Sequence, residues 1–212
     1  MARFIKIRHR PFLRLPPAIT LIVIALLVAG IGAGSLVVRV MESGEKQDLT
    51  GYLEGFLHGL SGHAATPSSA QIWQLSALQQ LRMAGLLWFF GLTLIGLPLI
   101  AAVVFARGFF VGFTVGFFVQ ELGYRGVLLS LAGVLPHNLL GIPLLVFFAV
   151  YTANFSLGIY RYRSYRGSDL LRRIALYCLV CLVLTLALLV VSAIEAHISP
   201  QLLQWLSRWL IP

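Results

Sequence analysis

Charge is scarce in this chain. Of its 212 residues only 11% are Asp, Glu, Lys or Arg, whereas a soluble domain carries about 25%. So small a supply cannot cover a water-facing surface, and part of the solvent must be lipid. Acidic residues are the scarcest: there are seven against 16 Lys and Arg, for a net charge of +9. An excess of that size can mark a nucleic-acid binder, but the cations gather at the ends of apolar runs instead of forming a dispersed basic face. That distribution belongs to topology signals and anionic-lipid contact, and it excludes nucleic acid as the expected partner. Cysteine is nearly absent. Cys178 and Cys181 form a C-x-x-C inside an apolar run, out of reach of a redox partner or a hydrated metal, so they read as small apolar side chains. No H-E-x-x-H, P-loop or G-x-S-x-G is present. Glu54, His58 and His63 match no metal-ligand spacing. The expectation is a protein without catalytic residues, cofactor or metal.

What the chain has instead is apolar length, with 59% hydrophobic residues and a mean hydropathy of +0.91. A spanning helix needs roughly 20 apolar residues. The first run, Ala18 to Val38, follows Pro16-Pro17 and exceeds the ~7–15-residue core of a signal peptide, so it reads as a retained anchor. The second, Met83 to Ala106, contains Pro98 and is expected to kink there. The third, Gly108 to Val119, reaches spanning length only by taking in Glu121 and Gly123. The fourth, Gly126 to Tyr151, is interrupted by Pro136-His137-Asn138. The fifth, Ile174 to Ala196, is the cleanest. The expected fold is all-α: one polytopic membrane helix bundle, residues 1–212, with about five crossings.

Lys and Arg in the connecting segments set the orientation. A basic tail, residues 1–17, and a loop with Arg161, Arg163, Arg166, Arg172 and Arg173 should be cytoplasmic. The segment 41–81, which carries Glu42, Glu45, Asp48 and Glu54, should lie outside, as should the C-terminus. In the middle of the chain two alternatives stay open, a re-entrant third run or a hairpin in the fourth.

Two amphipathic stretches belong to the outer side. In the first, Leu49, Tyr52, Leu53, Phe56, Leu57 and Leu60 recur at helical spacing after the capping residue Asp48. Such a stripe suits the membrane interface, a partner, or this protein's own bundle. In the second, residues 199–212, Ser199-Pro200 opens a helix with Trp205 and Trp209 at headgroup level.

Glycines stand four apart at Gly108, Gly112 and Gly116, and again at Gly51, Gly55 and Gly59, with Gly30 and Gly34 as a shorter case. This spacing lets helix backbones approach closely in lipid, either within the chain or in a homo-oligomer. The polar residues of the centre are Glu121 and Arg125, which can pair on one helix or mark the membrane interface, and Pro136, His137 and Asn138, which can serve polar packing or a transport path. Glu195 and His197 stand where the fifth run reaches the outer face.

Four of these stretches together carry a family resemblance: Leu94-Ile95-Gly96-Leu97-Pro98, the GFFVGFTVG of Gly108 to Gly116, Val134-Leu135-Pro136-His137-Asn138, and Ile194-Glu195-Ala196-His197-Ile198-Ser199-Pro200. In this order and spacing the chain resembles stage II sporulation protein M of endospore-forming bacteria. The resemblance implies a membrane protein of engulfment in the mother-cell and septal membrane. It would recruit or anchor two wall-degrading partners, stage II sporulation proteins D and P. It transfers no catalytic residues.

Overall fold

The computed structural model describes residues 16–61, 69–93, 95–161 and 167–210. The basic segment 1–15, with the cations of the tail, and the loop residues Arg163 and Arg166 lie outside them. Seven helices account for the rest: α1 (Pro17–Val40), α2 (Ser43–Ser61), α3 (Ser69–Gly91), α4 (Gly96–Leu122), α5 (Tyr124–Gly133), α6 (Leu135–Arg161) and α7 (Gly167–Leu210). No strand occurs among the described residues, and the expected all-α bundle is what the chain forms.

Proline and glycine punctuate the chain where helices begin and end. Pro17 occupies the first turn of α1, where its missing N–H would have had no partner anyway. Pro98 plays the same part in α4 and corrects the expected second span. Met83 to Ala106 is not one kinked helix. It is divided by a tight turn closed by Leu92 N–H to Phe89 O (3.2 Å), Thr93 N–H to Phe90 O (3.1 Å) and Gly96 N–H to Thr93 O (3.2 Å). The first half ends α3. The second half joins the expected third span, so that α4 runs unbroken through Gly108 to Leu122. Gly123 then ends α4 with φ 56° and ψ −129°. The fourth run is divided at Val134 into α5 and α6, just before Pro136, and neither half forms the hairpin left open by the sequence.

α1 and α4 lie side by side and run in the same direction. A methyl group at Gly30 would collide with Phe105 O, one at Gly34 with Phe109 O, one at Gly108 with Leu27 O and one at Gly112 with Ile31 O. The pairs advance together along both helices, so the helices are parallel. A chain that crosses the membrane in α1 and crosses it again in the same direction in α4 must come back between them. Only α3 can bring it back. Four helices are long and apolar enough to cross on composition alone: α1, α4, residues Asn138–Ile159 of α6 and Leu170–Ile194 of α7. α3 is the fifth crossing, too polar to qualify alone and covered by packing against α7, α4 and α6.

The remaining directions follow from contacts at one end. Ser156 Oγ of α6 donates to Thr93 O in the α3–α4 turn (2.7 Å). α6 therefore ends beside the start of α4, on the same side as the start of α1. The start of α1 and the end of α6 thus share a face, the cytoplasmic one by the positive-inside rule. Between them the core is filled by Leu87, Ile100, Val104, Phe148, Tyr177 and Leu188, all essentially inaccessible. Leucines and valines along the outer faces of α1 and α7 remain exposed, as lipid contact requires.

α7 departs from expectation at its far end. Its backbone is helical without a break through Ser199-Pro200 to Leu210, so residues 199–210 continue the helix and do not form a separate interfacial one. One proline removes a single backbone bond, which a long helix absorbs.

Candidate functional site

The outer end of the bundle holds the densest set of polar contacts. Val38 at the end of α1, Phe117 in the last turns of α4 and Leu129 of α5 form a small buried cluster, flanked by Leu49, Phe113, Phe118 and Leu122. Leu49 brings in α2, which begins at Ser43, earlier than a helix capped by Asp48 would. Polar groups ring the cluster. Thr50 Oγ1 donates to Lys46 O (2.7 Å) and lies 3.4 Å from Glu121 Oε2. The Gln120 amide is oriented to donate to Val38 O (3.2 Å) and to accept from Lys46 Nζ (2.9 Å). The first two turns of α2 are thereby fastened to the tip of α4. α2 also packs on α7, while Tyr52 is 79% exposed and a methyl group at Gly51 or Gly55 would meet no described atom. Gly108, Gly112 and Gly116 pack on α1, whereas Gly51 and Gly55 meet no neighbour among the described residues. Leu53, Phe56 and Leu57 fall on α2, Pro136 and His137 on α6, and Glu195 and His197 on α7, at positions where only the backbone is described.

A half-open groove of about 500 Å³ follows the α1–α4 seam below this cluster. Ile31 and Ser35 line one side, Val111, Val115 and Val119 the other, and glycines form its floor. Apart from Ser35, its lining turns polar at the outer mouth, at Arg39 and Gln120.

Glu121 and Arg125 do not pair. Gly123 ends one helix and starts another between them, so the four-residue spacing no longer places them on one face. Glu121 faces Thr50, while Arg125 Nε donates to the Tyr124 hydroxyl (3.3 Å) and its guanidinium stands 6.0 Å from the Tyr124 ring centroid. Both are exposed. Asn138 Nδ2 donates to Val134 O (2.7 Å), the carbonyl at the α5–α6 joint. Its buried Oδ1 has no partner among the described residues. Among those residues no three His, Cys, Asp or Glu side chains stand close enough to hold a metal ion.

At the opposite end, residues that carried no signal on their own form a second junction. Tyr177 of α7 stacks between Phe155 (centroids 4.0 Å apart) and Tyr151 (5.9 Å) of α6. Its hydroxyl donates to Trp88 O of α3 (2.8 Å). Cys181, one turn on, is fully buried in the same core and Cys178 partly, both as free thiols. The cysteines are thus packing residues.

Residues 23–200 match the family described as Stage II sporulation protein M. The chain belongs to this family. The match begins inside α1 and ends at Pro200, so it takes in every crossing and both junctions. No curated protein and no solved structure matches the chain. As a stage II sporulation protein M family member with helices long enough to span a bilayer, it is a multi-pass membrane protein of a sporulation family. Within it, two cations lie inside helices, Arg82 in α3 and Arg107 in α4. Arg107 fell between two expected spans and now lies at the centre of α4. Arg82 was placed just outside a span and now lies within α3. Their signal was their distance from any helix end, which became visible only once the true helix limits were known.

Proposed function

We propose that this protein is a non-enzymatic membrane scaffold of forespore engulfment that anchors peptidoglycan-remodelling partners, stage II sporulation proteins D and P, at the septal membrane. The observation that carries the reading is α2. It is fixed to the outer tip of the bundle through Lys46, Leu49 and Thr50, it packs on α7, and it is exposed at Gly51, Tyr52 and Gly55. A helix held rigidly at one end on the wall side, with Leu53, Phe56 and Leu57 on its apolar stripe, suits a docking element. Family membership supports the sporulation setting. A permease with a polar site at the broken fourth run is the rival reading. It is disfavoured by the exposed positions of Glu121 and Arg125 and by a core closed with Phe148, Leu87 and Ile100.

The test is affinity purification of the tagged protein from sporulating cells in mild detergent. Recovery of D-like and P-like wall hydrolases, lost on Phe56→Glu/Leu57→Glu at unchanged protein level, is the expected result. Solute flux in vesicles of the pure protein, with no hydrolase recovered, would replace the scaffold with the permease.

A further inference from the structure

α3 carries two opposite stripes. Ala77, Gln80, Ala84, Leu87 and Gly91 are buried against the bundle. Leu75, Gln79, Arg82, Leu86 and Phe89 are exposed, and their 4-3-4-3 spacing sets them on one face at 3.6 residues per turn. This outward face has the 3.5-residue period of a helix–helix seam, yet none of the described helices covers it.

Its centre lies deep. α3 returns from the outer surface to the cytoplasmic one. Arg82 stands nine residues before Gly91 and thirteen after Ser69, about 14 Å from one end and ~20 Å from the other. With a hydrocarbon core ~30 Å thick, that is near mid-bilayer, where an ionised side chain facing lipid is costly and is normally paired or turned inward. Arg107, the other cation at this depth, is half-buried and engaged within the bundle. Arg82 is exposed, and no ion pair or hydrogen bond to another described residue holds it.

We infer that the Leu75–Phe89 face of α3 is a docking seam for a membrane-spanning helix of a different protein, one carrying an Asp or Glu near mid-bilayer that pairs with Arg82. Charge selects this occupant. The chain has seven acidic residues: Glu42, Glu45, Asp48 and Glu54 lie between the α1 and α3 crossings, Glu121 at the tip of α4, and Asp169 and Glu195 just beyond the Leu170–Ile194 span. None lies at the depth of Arg82, so a second copy offers no carboxylate there, and a two-fold dimer on this face would set Arg82 against Arg82. A guanidinium and a carboxylate in lipid form a strong, directional pair. Gln79, about one turn away, adds a donor and an acceptor on the same line. The inference deepens the scaffold reading by naming an intramembrane contact, and it rests on that reading for a protein partner.

The experiment replaces Leu86 with a photo-crosslinking amino acid in the full-length protein, irradiates sporulating cells and identifies the product by mass spectrometry. The expected product is one protein whose spanning segment contains Asp or Glu. Arg82→Leu should reduce it at least tenfold at normal protein level, Arg82→Lys should spare much of it, and Arg82→Glu should be rescued by Lys or Arg in place of the partner's acid. Crosslinks only to lipid, to a second copy, or to a spanning helix without an acid would overturn the inference. So would a yield indifferent to Arg82→Leu. A partner with the acid that is not a wall hydrolase would keep the seam and remove the engulfment scaffold. Recovery of both hydrolases with no α3 crosslink would do the reverse.

Discussion

Gly123 holds φ 56° and ψ −129°, a backbone region closed to side chains with a Cβ, although a methyl group there would meet no atom. Strain is thus the whole effect of a substitution, and Gly123→Ala should cost about 1–3 kcal/mol in reversible unfolding in mixed micelles. Amide exchange at the α4–α5 joint should rise with it. Tyr177 tests the other end. Its hydroxyl bonds the Trp88 carbonyl, and Tyr177→Phe removes that bond but keeps the ring stack. A loss of about 0.6–1.7 kcal/mol in the same assay is expected, the range of interhelical hydrogen bonds in lipid. These residues were unequally legible. Gly123 was visible between Glu121 and Arg125 and should have been read as the stop that separates them. Tyr177 and Ser156 carried no signal of their own, because their partners are backbone carbonyls of α3 and of the α3–α4 turn, far away in sequence.

Among the elements, the α1–α4 seam is the tightest. Gly112 sits against the Ile31 backbone and Gly32 faces open space, so the two glycines form a matched pair for one experiment. Gly112→Val should destabilise the bundle by about 1–3 kcal/mol through overpacking, while Gly32→Val should stay within about 0.5 kcal/mol; both are read as the detergent midpoint of unfolding. The four-residue spacing identified a close-packing face, because small side chains in lipid have few other uses. It did not say which helix fills the face, and the same spacing at Gly51 and Gly55 meets nothing among the described residues. The split of the second run was hidden because Leu92 to Ile95 is as apolar as the helices it joins. Only Gly91, Gly96 and Pro98 betrayed the turn.

For the whole molecule, the cytoplasmic placement of the basic ends and a five-crossing path predict opposite sides for two loops. Gly44→Cys should react with a membrane-impermeant maleimide in intact cells, and Ser164→Cys only after permeabilisation, with buried Cys181 and the partly buried Cys178 silent. Reaction of both from the same side would remove the crossing by α3. Four of the crossings were readable from apolar length. The fifth was not, since α3 crosses under the cover of its neighbours and not on its own composition. This bears on how the protein is made. A segment as polar as α3 does not partition into lipid unaided, and its buried stripe lies chiefly against α7, the last of the described helices to leave the ribosome. Insertion therefore cannot proceed helix by helix in order of synthesis. α3 must wait at the translocation machinery or at the outer surface, and α4, whose direction depends on that passage, waits with it. The arrival of α7 commits both.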